Sequence, residues 1–483
     1  MGPEKYIKNF INGKLVPAAN GEYHDNVSPV NGKVSSYYPD SGPEDLERAI
    51  DAASKALPEW SNLEPERRLR ILMRVADILE QNASSIARAE TLDCGKPFSM
   101  ALNVDVTRAQ STLRFYGAAM LQLQSEANYT KGTAVNYLIR QPLGIVACVG
   151  AWDMPLVSLC QKVAPAIAAG NCVVAKTSEL TPMSGFIFAR ACSEAGLPDG
   201  VFNLVHGKDD TLIPLLVEHP KVEAVTYTGS TSFGKKILEQ PNAAFKKLSL
   251  ELSSKNPNII FADCNFDKMI VDTLRSSFSN NGQLRFSCPR IFVERSMYQV
   301  FRDELVKRTQ FLKVGDPFAP VTDLGAIISE EQREKILSYI ALAEVEGGKV
   351  LCGGRTIKVP GEYENGYYLR PALIEGLPIA SRTNQEEIFG PVATITPFDT
   401  PDEVVELANQ SSFGLGASIW TNNTSKGNRV AERLNAGVVW LNGWAVYDQR
   451  ISSNASGFSG FGQSDGLEAL KFFTQAKNIC IQL

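Results

Sequence analysis

From Gly144 onward the chain alternates short apolar runs with helical stretches, and that alternation limits its fold more than any other feature. The run GIVACVGAW is followed by a helix through VAPAIAAG, then CVVAKTS, a helix through PMSGFIFARACSEAG, the run FNLVHG, and AVTYTGS leading into STSFGKKILEQ. A near-continuous apolar run belongs to a strand buried on both faces, and parallel strands need a crossover, usually a helix, between them. The pattern therefore predicts an open parallel sheet with helices on both faces.

The remainder arranges itself around that unit. FINGKLVP, with its Asn-Gly turn, predicts short strands, and Pro43–Leu57 a helix. Residues 64–128 read as a long helical region, with apolar positions recurring at i, i+3, i+4 and i+7. Val135–Arg140 reads as an exposed strand. A second α/β region spans about Lys255 to Ala436, with strands in PNIIFADC, PRIFVE and ATITPFD. GVVWLNGW is expected to return to the first unit, Ser452–Gly462 to form a flexible Ser/Gly-rich loop, and FFTQAKNICIQL to end the chain as a strand.

Length and composition narrow the function. A chain of 483 residues holds two or three domains, and 44% hydrophobic with 21% charged residues is ordinary for a globular protein. The net charge of −5, with no basic run interleaved with aromatics, argues against nucleic acid. No run reaches the roughly 18 apolar residues of a membrane span. The N-terminus lacks a secretory pattern, and although Met1-Gly2 opens as a myristoylation motif would, Tyr6 stands where Ser or Thr is wanted. Nine scattered cysteines without a CxxC pair predict reduced thiols in a cytoplasmic protein and no metal site. His24, His206 and His219 lie in no catalytic setting.

Three local motifs carry chemistry. In TYTGSTSFGKK, Gly229 and Gly234 stand at the mouth of a helix, where bare backbone admits a pyrophosphate; a plain tight turn reads equally well. Lys176 and Glu179, at the end of the strand CVVAK, suit ribose hydroxyls or a solvated helix cap. EEIFGP, from Glu386 to Pro391, sets a carboxylate beside an aromatic ring, as a second ribose and a ring would require.

Together with KKLSLELSSKNPNIIF, DTLRSSFSNNGQ, PRIFVE and GAIIS, these motifs make the whole chain resemble the NAD-dependent aldehyde dehydrogenase superfamily, and within it the 2-aminomuconic semialdehyde dehydrogenase-like branch. The resemblance implies an α/β aldehyde dehydrogenase fold of three parts. They are a Rossmann-like NAD domain (1–125 and 144–252, completed by about 437–463), a catalytic-type α/β domain (253–436), and oligomerisation strands (126–143 and 464–483) that join subunits into homodimers or homotetramers. It assigns Lys176 and Glu179 to the adenosine ribose, and Gly229, Ser230 and Gly234 to the pyrophosphate. Glu387 and Phe389 fall to the nicotinamide ribose and ring, Glu251 to the general base, and Arg108 to a substrate carboxylate. The branch's second arginine falls on Tyr447, with Arg450 nearby.

The resemblance breaks where the reaction should occur. In FSNNGQLRFSCPRIFV, the position of the family's nucleophilic cysteine holds Arg285, and the spacing from Gly282 to Arg290 leaves no gap to slide Cys288 into its place. A guanidinium stays protonated and has no lone pair to give, so it cannot be a covalent nucleophile. Asp153 stands in AWDMP where the family has an oxyanion-stabilising Asn, Ser253 and Ser254 replace glycines in ELSSK, and SSNA (Ser452–Ala455) replaces a PFGG-type loop. The adenosine end of the NAD site is thus retained and the nicotinamide end altered. Arg285 and Asp153 are expected to face each other as an ion pair filling the site, against independent drift.

Three readings follow. In the first, the pocket performs non-oxidative acid–base chemistry on a small aldehyde, imine or related carbonyl compound through Asp153, Arg285 and Glu251. In the second, the chain is a non-catalytic, NAD-binding or structural protein, as crystallins derived from this superfamily are. In the third, it is a weak NAD-dependent aldehyde dehydrogenase acting through Cys288.

Overall fold

The computed structural model describes residues 4–462 and 465–483; the Met1-Gly2 motif, and Ser464 at the start of the second oligomerisation segment, lie outside them. The fold belongs to the α/β class and contains two large sheets and a smaller three-stranded one. In the first sheet, Phe202–Leu204, Cys172–Lys176, Ile145–Val149, Val222–Thr228 and Lys247–Glu251 lie side by side and parallel. Ile145–Val149 and Cys172–Lys176 are buried throughout, as their unbroken apolar runs require. Asn9–Ile11 and Lys14–Val16 extend one edge as a hairpin, with Asn12 and Gly13 at positive φ in its turn.

Helices cover both faces. Pro65–Gln81 buries Leu72, Val75, Ala76, Ile78 and Leu79 on one stripe. The predicted long helical region is in fact segmented. Ala83–Cys94 ends at Gly95, which has φ 77°, and a Cβ there would meet the carbonyl of Ala326 at 2.7 Å. A π-helical stretch, Ala101–Val106, then runs into the α-helix Thr107–Met120.

The second sheet runs Lys349–Cys352, Ala372–Glu375, Val392–Phe398, Arg290–Glu294, Pro257–Ile260, Gly416–Trp420 and Val438–Leu441. Two expectations need correction here. Val438–Leu441 does not return to the first unit; it pairs in parallel with Gly416–Trp420, with Val438 opposite Gly416. Ser452–Gly462 is not a free loop: Ser456–Gly457 pairs with Phe413–Gly414, and Gly460–Phe461 closes the first sheet against Lys247–Glu251. Its backbone packs so closely that a Cβ on Gly437 would meet the carbonyl of Asn454 at 1.4 Å. In the small sheet, Thr474–Gln482 pairs antiparallel with Ala134–Pro142, whose other edge takes Ala127–Thr130. Among the described residues no helix is long and apolar enough to cross a membrane.

Candidate functional site

In the first sheet, Ile145–Val149 lies between Cys172–Lys176 and Val222–Thr228, so chain order reverses at that strand. Open α/β sheets bind ligands in the crevice outside the carboxyl ends of strands at such a point. The cleft there has a volume of ≈ 230 Å³. Trp152, Tyr227 and Phe233 line it from the first sheet, and Arg285, Lys335 and Phe389 from the second.

The loop carrying Arg285 is fixed by its backbone. Asn280, Asn281 and Gly282 are consecutive residues at positive φ, a region asparagine and glycine tolerate best. The Asn280 amide donates to the carbonyls of Asp153 (3.1 Å) and Gln283 (2.9 Å), and that of Asn281 to Ala326 (2.9 Å). The carbonyl of Arg285 accepts from Ser254 Oγ (2.5 Å) and Asn256 Nδ2 (2.8 Å).

From this anchored backbone the Arg285 side chain turns into the cleft. Its Nη1 donates to the carbonyls of Gly229 and Leu252, each at 3.0 Å, and its guanidinium carbon lies 5.9 Å from the Phe389 ring centre. The expected ion pair with Asp153 is therefore not formed. The two carbonyls follow the last residues of neighbouring strands, Val222–Thr228 and Lys247–Glu251, and together they claim the guanidinium.

Asp153 is buried, and its carboxyl makes no hydrogen bond to another side chain among the described residues. Burial pushes its pKa up; Arg285 and Lys96 pull it down, and Glu251 pushes it up again. Its backbone carbonyl accepts from Lys96 Nζ at 2.8 Å, and Lys96 pairs with buried Asp105.

Glu251 ends its strand and accepts from Thr228 Oγ1 at 3.0 Å, while Thr228 Oγ1 accepts from Lys162. Lys162 is buried, and burial lowers its pKa. Asp465, also buried, accepts from Tyr447 Oη (2.7 Å), Ser453 Oγ (2.7 Å) and Gln161 Nε2 (3.2 Å). Burial and then Glu251 push its pKa up. Thr228, Lys162 and Asp465 were missed by the sequence reading. A lysine inside the mostly apolar helix Pro155–Ala168 was the available signal, because a buried ammonium needs partners.

The three substrate-side residues separate. Arg108 stacks its guanidinium 4.2 Å from the Tyr447 ring centre, with its Nε buried and unpartnered. Arg450 instead points to solvent and pairs with Asp448 at 2.7 Å, because that carboxylate lies only two residues away. Cys288 is fully buried with Leu284 and Trp444, and burial pushes its thiol far up, so it belongs to a core.

At the adenosine end, buried Lys176 pairs with Asp209, whose backbone N–H donates to Glu179 at 3.4 Å. Ser230 caps the helix Thr231–Leu238 by accepting from Phe233 N at 3.2 Å. A Cβ on Gly229 would meet Tyr227 Oη at 1.8 Å, and one on Gly234 the Leu252 side chain at 2.6 Å, so both glycines answer to close packing. Glu387 accepts from Ser254 N at 2.7 Å. Phe389, at φ 55°, sets its ring edge-on to Trp152 with centres 5.0 Å apart. Among the described residues no cluster of three or more His, Cys, Asp or Glu could hold a metal.

Two α/β sheets, a smaller three-stranded sheet and a crevice at the switch point define a dehydrogenase-type architecture. The sequence profile of the aldehyde dehydrogenase family matches residues 15–479, and the chain belongs to that family. It is 39% identical over 479 residues to 2-aminomuconic semialdehyde dehydrogenase of Bos taurus, covering 99% of this chain and 98% of that one. It is also 39% identical over 486 residues to 2-hydroxymuconic semialdehyde dehydrogenase of Pseudomonas sp. (strain CF600), covering 99% and 100%. A putative aldehyde dehydrogenase structure from Burkholderia cenocepacia superposes with a TM-score of 0.97 at 34% identity, over 99% of this chain and 98% of that one. The P. syringae indole-3-acetaldehyde dehydrogenase, solved with NAD+ and IAA, gives 0.96 at 34% identity, over 100% and 97%.

Proposed function

We propose that this chain is a family member that has lost thiol-dependent aldehyde oxidation and performs non-oxidative acid–base chemistry on a small carbonyl or imine compound. The observation that carries the reading is the pairing of two carboxyl groups in unlike settings. Asp153 is buried, and burial pushes its pKa up; Glu251 accepts from the Thr228 hydroxyl and lies close enough to add to that push. Two carboxyls in unlike settings can divide the work of acid and base. Asp153 would protonate the carbonyl oxygen or imine nitrogen while Glu251 takes a proton from water or from the adjacent carbon. In carbonyl hydration the water oxygen bonds to the carbonyl carbon as the C=O π bond opens onto the proton from Asp153. The proton held by Glu251 then passes through solvent to restore Asp153, so no hydride moves.

The resemblance assigns Arg108 to an anionic group on that compound, and here its guanidinium lies over the Tyr447 ring. The relatives named for muconic semialdehydes support a substrate of similar size.

NAD is the cofactor the family implies; the residues expected at its adenosine end are retained and the nicotinamide end is altered. Lys176 pairs with Asp209, Glu179 and Glu387 each accept one backbone N–H and keep further acceptor sites, and Arg285 enters the nicotinamide end. The Arg285 side chain in the cleft also favours a second reading, a non-catalytic structural protein. The domain division expected from the sequence, with Val438–Leu441 moved to the second unit, stands as part of this proposal, as does a cytoplasmic location. Self-association as a homodimer or homotetramer is supported by the small sheet, whose strands Ala127–Thr130 and Thr474–Gln482 are mostly exposed.

The two readings part on one experiment. Single variants Asp153→Asn and Glu251→Gln are assayed for hydration, isomerisation or imine hydrolysis across a panel of unsaturated semialdehydes and imines. Turnover by the native protein that falls by about 10²-fold or more in each variant supports the acid–base reading. A native protein inert across the panel, with variants altered only in stability, supports the structural one.

A further inference from the structure

We infer that Lys96 is a positioning residue for the loop that presents Asp153, and that the two carboxyls behind it, Glu90 and Asp105, share one proton. Any effect on turnover rests on the acid–base reading; the shared proton and the grip on the loop do not.

Lys96, Asp105 and Glu90 are each fully buried. Lys96 follows Gly95, whose positive φ ends the helix Ala83–Cys94. Its Nζ donates to Asp105, carried on the π-helical stretch Ala101–Val106, and to the backbone carbonyl of Asp153 at 2.8 Å. That carbonyl also accepts from Asn280 Nδ2 at 3.1 Å, so one oxygen joins the Asp153 loop to the loop carrying Arg285. The neighbouring backbone is held from the same place. Cys94 Sγ donates to the Trp152 carbonyl at 3.5 Å, and Glu90 Oε1 accepts from Leu156 N at 2.9 Å and from Ser184 Oγ at 3.0 Å. Three side chains from residues 90–96 thus pin the chain on both sides of Asp153.

Donors and acceptors in this cluster balance only with an added proton. An ionised carboxylate accepts and cannot donate. Glu90 Oε2 and Asp105 Oδ1 are both buried without a donor, and the two carboxyls lie within hydrogen-bonding reach of each other. One proton on Glu90 Oε2, donated to Asp105 Oδ1, satisfies both oxygens. Asp105 remains the carboxylate that Lys96 pairs with, and the cluster becomes one ammonium, one carboxylate and one carboxylic acid, with no net charge to bury.

The titratable groups facing Glu90 are Asp105, Lys96 and the thiols of Cys94 and Cys160, and burial pushes both thiols far up and keeps them neutral. The Asp153 carboxyl faces Lys96 from the other side. Burial and then Asp105 raise the Glu90 carboxyl, against a pull from Lys96. As pH rises past its value the Glu90 proton leaves for solvent and two carboxylates face each other over one ammonium. The grip of Lys96 on the Asp153 carbonyl then slackens.

The test places 5-fluorotryptophan in the full-length protein and follows the Trp152 resonance, assigned with Trp152→Phe, by fluorine NMR across neutral and alkaline pH. Trp152 reports on the loop because its ring packs edge-on to Phe389 with centres 5.0 Å apart. In the native protein the resonance should move with a midpoint of about 8, the value to which Glu90 is pushed. Glu90→Gln, whose amide donates to Asp105 as the acid does, should hold it at the low-pH position throughout. Lys96→Met should displace it already at neutral pH and, where the native protein turns over, lower kcat by about tenfold or more. Asp105→Asn removes the charge beside Glu90 and the partner of Lys96, so it should carry the midpoint down and displace the resonance as well. A Trp152 resonance that does not titrate, or that titrates alike in Glu90→Gln, overturns the shared proton. A native-like resonance in Lys96→Met, or in Asp105→Asn if the methionine variant fails to fold, overturns the positioning role. The fluorine readings need no substrate, so a native protein inert toward every carbonyl compound sinks the acid–base reading and leaves this test in force.

Discussion

Arg285 and Leu252 are joined by a 3.0 Å hydrogen bond from guanidinium Nη1 to the peptide carbonyl, and the same nitrogen reaches Gly229 at 3.0 Å. One side chain from the second sheet's loop thereby ties the ends of two strands of the first. Loop 278–289 is held to the first sheet at the position where the family resemblance places chemistry.

That tie should be measurable as stability. Arg285→Ala leaves two carbonyls without their donor, a loss of about 1–3 kcal/mol, discounted because the group is only half-buried. Differential scanning calorimetry should show a melting temperature lower by a few degrees. An unchanged value would mean water satisfies the carbonyls equally well.

Two buried carboxyls predict how stability responds to pH. Glu90, which accepts from Leu156 N and Ser184, is pushed from 4.5 to about 8 by burial and then by Asp105. Asp93, which accepts from Asn26 and Met183 N, is pushed from 3.8 to about 7 by burial. A carboxyl whose folded pKa exceeds its unfolded value holds its proton more tightly in the fold. Its contribution is complete below the unfolded values and is withdrawn as pH rises through the folded ones. The native protein's melting temperature relative to that of Asp93→Asn should therefore fall from about pH 4 to about pH 7, between the unfolded and folded Asp93 values. A rising curve across that range would contradict these assignments.

The fold was legible where the signal is local. Unbroken apolar runs named the parallel strands, and period-four apolar spacing named the helices over residues 64–128. The breaks in that region lie at Gly95 and in a π-helical turn, which depend on the close approach of Ala326 and on Asp105 reaching Lys96. Val438–Leu441 was assigned to the wrong sheet because an apolar run reports burial without reporting which edge will bury it. The site was legible in residue type but not in direction. Opposite charges at 153 and 285 suggested a pair, yet a long arginine side chain chooses among all acceptors within reach, and two strand-end carbonyls are invisible in a sequence. Asp209 went unnoticed for the same reason, as its partner Lys176 is 33 positions away and meets it only through the sheet.

Thiol chemistry tests the Cys288 alternative. All nine cysteines are free, Cys480 alone is exposed, and Cys288 is fully buried with its thiol pushed far up. Thiolate character and access both govern reaction with a disulfide reagent. Native protein should react quickly at Cys480 and leave Cys288 unlabelled until unfolded, as peptide mapping would show. Rapid labelling of Cys288 would reopen the reading in which it oxidises aldehydes.

The most direct measurement of the central claim is NADH formation from a panel of small aldehydes by the native protein beside the double variant Asp153→Asn with Arg285→Cys. The native chain should be silent, because it has no thiolate at position 285 and a guanidinium stands in the cleft. The double variant should turn over, because it regains the thiol and the amide donor and clears the cleft. NADH production by the native protein would contradict the account outright.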